Sequence, residues 1–183
     1  MSDQEINENT PSEHLEQASH GRDTIPGVTR EVYSRNADAA KEARAAEFAI
    51  HTARTLFDDK CTDVLVLDVR GRSQLTDYLV IASGTSERQM RSAGSNIEDE
   101  AQTRDITLHR SNLKEREANW VLLDFVDVVV HIFEPETRLF YDLEMLWGDA
   151  ERVFWAREDQ QDAVANDPAR NRAGLRPDDV LPE

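Results

Sequence analysis

The segment from Trp120 to Phe133 constrains the fold more than any other, because its pattern predicts two strands joined by a tight turn. Residues opposed across antiparallel strands share a face of the sheet, so a turn at Val126-Asp127 sorts the side chains into two sets. The first set is wholly apolar and predicts a core face: Val121, Leu123, Phe125, Val128, Val130 and Ile132. The second set mixes aromatic and ionisable side chains and indicates a functional surface: Trp120, Leu122, Asp124, Val129, His131 and Phe133.

The regions around this hairpin predict an α/β fold, a single domain with a mixed, roughly five-stranded sheet flanked by helices. Strands are expected at 63–69, 77–82, 106–109, 120–125 and 128–133, with helices at 39–57, at 86–104 and from Pro135 onward. The strand, helix and strand between 77 and 109 should form a right-handed parallel connection. In the last helix Leu139, Leu143 and Leu146, with Phe140 and Trp147 beside them, should pack inward.

Composition separates the predicted domain, residues 38–157, from two acidic tails, 1–37 and 158–183, which have too little apolar surface to fold and are expected to be disordered. The chain has 37 acidic and 21 basic residues, a net charge of −16, and residues 41–156 alone carry −8. Such a charge repels nucleic-acid phosphates and anionic membranes and favours a basic partner. The single cysteine, Cys61, is expected to be a buried apolar group. With no spanning segment, the sequence predicts a soluble cytoplasmic protein with no membrane contact and no sequence-specific nucleic-acid binding.

Two motifs carry polar groups that have more than one interpretation. Ser83-Gly84-Thr85-Ser86 follows a buried strand and opens a helix, a position that suits helix capping or, less simply, binding of an anion. Asp124, Asp127 and His131 lie close together on the hairpin and suggest a metal or an acid–base pair, although a metal site needs more ligands than these. We therefore expect no catalytic residues and no metal.

The helix after Pro135 has a second stripe, formed by Arg138, Tyr141 and Met145. One interpretation is an ordinary surface helix with an amphipathic rim. The other is that this rim and the mixed face of the hairpin make one docking surface, since Trp, Tyr and Arg often dominate interfaces.

Three blocks of the sequence, in this order, resemble the ribosomal silencing factor family, also called the Iojap family. They are TDYLVIASGTSERQ, then WVLLDFVDVVVHIF, then RLFYDLEMLW. The resemblance covers about residues 45–148 and leaves both tails outside it. It implies a small α/β domain akin in fold to nucleotidyltransferases, without catalysis and without a cofactor.

The resemblance also implies a partner and a mechanism. Family members bind the fourteenth protein of the large ribosomal subunit, sterically block joining of the small subunit and so repress translation when nutrients are scarce. They also self-associate, so a homodimer is an expectation for this chain. Carried over residue by residue, the implied partner-binding positions are Asp77, Ser83, Gly84, Thr85, Ser86, Arg88, Trp120, Asp124, His131, Arg138, Tyr141, Leu143, Glu144 and Trp147.

This chain departs from the family pattern at two places. Leu113-Lys114 stands where members usually carry Glu-Gly, and Val126 stands where they place glycine. A β-branched residue is awkward at a turn position that needs a positive φ, so the hairpin turn is expected to be built differently.

Two alternatives remain open at this point. One is a nucleotidyltransferase-like enzyme that uses the Ser83–Ser86 turn for phosphate and the hairpin carboxylates for a metal. The spacing of Asp124 and Asp127, three apart across a turn, disfavours it. The other is a dimeric adaptor with different targets.

Overall fold

A computed structural model describes residues 30–115 and 119–161, with side chains from residue 38 onward. The β-sheet belongs entirely to the unit that begins at Ala37. Of the two predicted tails, 1–29 and 162–183 lie outside the described residues. The described part goes beyond both predicted domain boundaries, because helix α1 begins at Arg30 and a 3-10 turn occupies Glu158–Gln160.

Helices and strands alternate irregularly along the chain. In order they are α1 (Arg30–Asp58), β1 (Thr62–Asp68), β2 (Tyr78–Ser83), α2 (Glu87–Thr103), β3 (Arg110–Ser111), β4 (Trp120–Asp124), β5 (Val128–Phe133), α3 (Pro135–Tyr141), α4 (Leu143–Leu146) and β6 (Glu151–Arg152). The strands form one six-stranded sheet in the order β3-β4-β5-β2-β1-β6. Only β2 and β5 pair in parallel, and the other neighbours are antiparallel. The predicted mixed α/β fold is confirmed, with β6 as an additional short edge strand.

The predicted hairpin has the expected register. Val121 lies opposite Ile132 and Leu123 opposite Val130, as the alternation of the sequence indicates. All six residues of the predicted core face are buried in one apolar cluster with side chains of α1 and α2. Phe48 of α1 meets Phe125 edge-to-face, with ring centroids 5.0 Å apart. We call this the first face of the sheet. Cys61 packs in the same cluster, and burial raises the pKa of its thiol to about 12, so it stays neutral.

The second face of the sheet has a smaller core. Leu65, Leu67, Leu79, Ile81 and Phe133 are buried there together with Val69. Instead of a long helix, the side chains that cover them come from the segment after β5, chiefly Leu143, Trp147 and Ala150, which are themselves only partly buried. The second face is therefore where the chain has an incompletely covered apolar surface.

The predicted parallel connection between 77–82 and 106–109 is wrong. Residues 106–109 form no strand, and the parallel neighbour of β2 is β5. A parallel strand in the middle of a sheet must be apolar on both faces, and VVVHIF satisfies this far better than ITLH, of which Thr107 and His109 are exposed. The next strand, β3, is only two residues long and pairs antiparallel with β4.

The turn of the hairpin forces Val126 into the left-handed region, with φ of 72°. Surrounding contacts hold it there: the Val126 amide donates to Asp124 Oδ1 at 2.8 Å, and the Asp127 amide donates to the Phe125 carbonyl at 3.0 Å. Asp127 also pairs with Lys41 of α1 at 2.8 Å. A β-branched residue at positive φ is strained. The turn thus keeps the positive φ that glycine favours, and the prediction that it is built differently is wrong.

Replacing Val126 by glycine should therefore stabilise the protein. Relief of left-handed strain, typically about 1–2 kcal/mol, exceeds the extra chain entropy of glycine and leaves a gain of about 1 kcal/mol in the free energy of unfolding. The matched control is Val126→Ala, which retains a Cβ and should stay within about 0.5 kcal/mol of the wild type. Urea unfolding of the three proteins checks this. Equal stability of the Gly and Ala variants would contradict the assignment of strain to the backbone.

Candidate functional site

The second face has an aromatic cluster at the end of the hairpin that leads into α3. Trp120 lies at its centre, with ring centroids 4.8 Å from Tyr141, 5.0 Å from Phe133 and 5.6 Å from His131. His131 and Phe133 are two apart on β5 and so share a face, and their rings are nearly parallel. The Trp120 ring is only partly buried, so the cluster forms part of the surface.

His131 is neutral in this cluster. The indole N–H of Trp120 donates to His131 Nδ1 at 3.2 Å, which requires that this nitrogen carry no proton. Burial lowers the pKa of His131 to about 4. Asp124 is the partner of a backbone amide, because its Oδ1 accepts from the amide of Val126 at 2.8 Å.

Helix α3 does not continue into α4. Asp142 adopts a left-handed conformation with φ of 41°, ends α3 through a bond from its amide to the Arg138 carbonyl, and caps α4 through its carboxylate. Aspartate tolerates this conformation better than most residues. The two short helices meet at an angle at Asp142, and we call residues 135–147 the elbow.

The elbow has a group of exposed apolar side chains. Phe140 is 81% exposed and Met145 is 79% exposed, and Leu139, Tyr141 and Leu146 are also exposed. The prediction that Leu139, Phe140 and Leu146 pack inward is wrong. The break at Asp142 ends the helical periodicity on which that prediction relies, and of the predicted stripe Leu143 and Trp147 pack against the second-face core.

Arg138 is the buried residue of α3. Its side chain is 1% exposed, and Nε donates to Glu144 Oε1 at 2.6 Å while Nη1 donates to Ser83 Oγ at 2.8 Å. Glu144, on α4, is only 6% exposed. Ser83, Arg138 and Glu144 were all expected to contact a partner, but the structure brings them together in the interior. They have almost no surface with which to make that contact.

The turn between β2 and α2 is a helix cap. Ser86 is the N-cap residue and accepts from the Gln89 amide at 3.3 Å, and the Thr85 amide donates to the Gln89 side chain at 2.8 Å. Gly84 approaches Met90 so closely that a Cβ at this position would clash with Met90 Cγ. Local contacts thus explain the motif without an anion. Arg88 is exposed in the first turn of α2, which packs on the first face of the sheet.

The carboxylates of the hairpin lie at the other end of the sheet from Trp120. Asp124 pairs in register with Val129, near the start of β5, whereas Trp120 pairs with Phe133 at its end. Asp77 lies beside Asp127, which accepts the ion pair from Lys41, and burial together with that neighbouring charge raises the pKa of Asp77. Within residues 38–115 and 119–161, no three His, Cys, Asp or Glu side chains are arranged to hold a metal ion.

The predicted site residues therefore fall into separate groups. Trp120, His131 and Tyr141 form the aromatic cluster, Leu143 and Trp147 pack beside it, and Asp77, Asp124 and Arg88 lie elsewhere. The sequence-based prediction did not include Leu139, Phe140 and Leu146 among the exposed surface residues. The residue from which this exposure could have been predicted is Asp142. Aspartate is a preferred N-cap residue, and its place inside an otherwise helical pattern indicates that a new helix begins there.

These features define a small mixed-sheet α/β protein with an aromatic and apolar surface on one face. Residues 41–179 match the family described as "Ribosomal silencing factor during starvation". The chain is 41% identical over 93 residues to ribosomal silencing factor RsfS of Bacillus subtilis, covering 51% of this chain and 78% of that protein. The chain therefore belongs to the ribosomal silencing factor family, and the resemblance noted from its sequence is confirmed.

Two further relatives extend the comparison. The chloroplastic protein Iojap of Arabidopsis thaliana is 34% identical over 130 residues, which is 71% of this chain and 54% of that protein. A crystal structure of a Chromobacterium violaceum protein superposes with a TM-score of 0.51 at 28% identity, covering 62% of this chain and 90% of the other. Among the described helices, none is long and apolar enough to cross a membrane.

The neutral His131 predicts a pH dependence of stability. Its pKa in the folded protein, about 4, lies below the ordinary value of 6.5, so the unfolded chain binds the proton first as the pH falls. The contribution of His131 to the free energy of unfolding is fully present above about pH 6.5 and is lost progressively down to about pH 4. Over this range the free energy of unfolding falls by at most about 1.4 kcal/mol per pH unit.

His131→Asn should remove this component, because an amide oxygen can accept the Trp120 bond but does not titrate. The measurement is urea unfolding at intervals between pH 4 and 7, with His109→Asn, an exposed position, as the control. The His131→Asn variant should lose less stability toward pH 4 than both the wild type and the control. Identical pH profiles for all three proteins would refute the assignment.

Proposed function

We propose that this protein represses translation by binding the fourteenth protein of the large ribosomal subunit and sterically blocking the small subunit from joining. Membership in the ribosomal silencing factor family supports the involvement of the ribosome. The observation that carries the proposal is the exposed apolar surface of the elbow, beside the Trp120 cluster. Contiguous exposed apolar groups on a folded protein mark sites of association.

The charges around this surface indicate the chemistry of the partner. Between Asn119 and Glu151, Arg138 is the only lysine or arginine, and it is buried in its ion pair. The exposed charges of the elbow itself, Glu136 and Asp142, are both acidic, and the neighbouring Asp149 is paired with Arg72 at 3.2 Å. Such a surface repels RNA phosphates and suits an apolar groove bordered by lysine and arginine. A basic ribosomal protein has that character, and the surrounding rRNA does not.

No chemistry is required of the repressor in this mechanism. Occupation of a face that the small subunit needs is sufficient, and the affinity for the large subunit sets the extent of repression. Trp120 is the natural anchor, because it is large, partly exposed and fixed in orientation by His131 and Phe133. A rigid aromatic side chain loses little entropy on binding, which favours a hot spot.

Trp120→Ala should weaken binding to purified large subunits by at least about 2 kcal/mol, roughly 30-fold, because the anchor is removed. Co-sedimentation with large subunits measures the affinity, and circular dichroism checks that the variant is folded. Undiminished co-sedimentation of the folded variant would refute the role of Trp120.

A second variant tests the elbow without disturbing the fold. Phe140→Ser with Met145→Ser changes two side chains that are about four-fifths exposed, so stability should change little. We expect at least tenfold weaker binding and a matching loss of inhibition when subunit joining is followed by light scattering. The control is Leu75→Ser, which removes a side chain that is 88% exposed on the loop between β1 and β2. Equal inhibition by the wild type and the elbow variant would contradict the proposed surface.

A further inference from the structure

The elbow is joined to the sheet by one buried ion pair. Arg138 of α3 donates to Glu144 of α4 and to Ser83 at the end of β2, so three elements meet at one guanidinium. Both charged side chains are almost completely buried. Burial on this scale is uncommon for arginine and glutamate, and it calls for a physical reason.

Stability alone is a poor reason for this pair. Removing two charges from water is costly, and apolar residues of similar size often replace a buried ion pair without loss of stability. The pair is also incompletely satisfied, because Arg138 Nη2 is buried and has no hydrogen-bond partner among the described residues. A pair retained for stability would be expected to use more of its donors.

The pair is placed to fix the geometry of the elbow. Helix α3 has seven residues and α4 has four, so neither is long enough to be held by its own hydrogen bonds. Leu139, Phe140 and Tyr141 directly follow Arg138, and Met145 and Leu146 directly follow Glu144. Locking the two charged side chains together therefore fixes the two exposed groups relative to each other. The directional bonds of a guanidinium hold this angle in a way that apolar contacts do not.

We propose that Arg138 and Glu144 are positioning residues, which hold the elbow so that its exposed side chains form one docking surface. This inference rests on the proposed function, in which that surface binds the large subunit. It assigns the two residues a role in recognition although neither contacts the partner. It also distinguishes them from Trp120 and Phe140, which act by direct contact.

The test is the double variant R138M/E144L, which replaces the pair with apolar side chains of similar size. Single substitutions are unsuitable, because each leaves a buried charge unpaired and destabilises the fold. We expect the double variant to unfold at the same urea concentration as the wild type or higher. Its affinity for large subunits should fall at least tenfold, and the amides of residues 139–146 should exchange with deuterium at least tenfold faster.

The matched control replaces an exposed ion pair in the same way, R157M/D58L, whose charged atoms are 2.9 Å apart. It should keep both the affinity and the exchange rates of the elbow. Wild-type affinity and exchange in R138M/E144L would overturn the inference, and so would a marked loss of its stability, since the pair would then serve the fold. If the wild type itself fails to bind large subunits, the proposed function is wrong, while the exchange measurement still tests the positioning role.

Discussion

The parallel pairing of β2 with β5 is the interaction on which the rest of the structure depends. It places β5 inside the sheet, between β2 and β4, and both faces of the strand must then be covered. Helices α1 and α2 cover the first face with a continuous apolar core. The segment that follows β5 has to cover the second face, and it is too short to do so completely. The exposed surface of the elbow is thus a consequence of the topology.

The hairpin and most elements follow from the sequence, because alternation along Trp120–Phe133 allows only one register that buries all the apolar partners. The position of the hairpin within the sheet does not follow in the same way. Residues 106–109 have a strand-like composition, and only competition with β5 for the place beside β2 excludes them. Such competition depends on both faces of the finished sheet, and local periodicity contains no information about it.

The site is predictable to a smaller extent. Trp120 and His131 lie together because they are on one face of the hairpin, and α3 ends at Tyr141, which brings its ring against Trp120. Arg138 and Glu144 are not where a sequence pattern places charged residues. A periodicity argument assigns leucine to the interior and arginine to the surface, and one left-handed residue, Asp142, reverses both assignments.

The distribution of charge connects these features. His131 and Arg138 both pack on the second face of the sheet, and neither adds net charge there. His131 is unprotonated, whereas the positive charge of Arg138 is balanced by Glu144. Neither side chain therefore compensates the exposed carboxylates of Glu136 and Asp142 on the elbow. Moving Arg138 to the surface would provide a cation at the elbow and make it less selective against phosphate. Its burial therefore keeps the one cation of residues 135–147 away from the surface, in addition to the positioning role proposed for it.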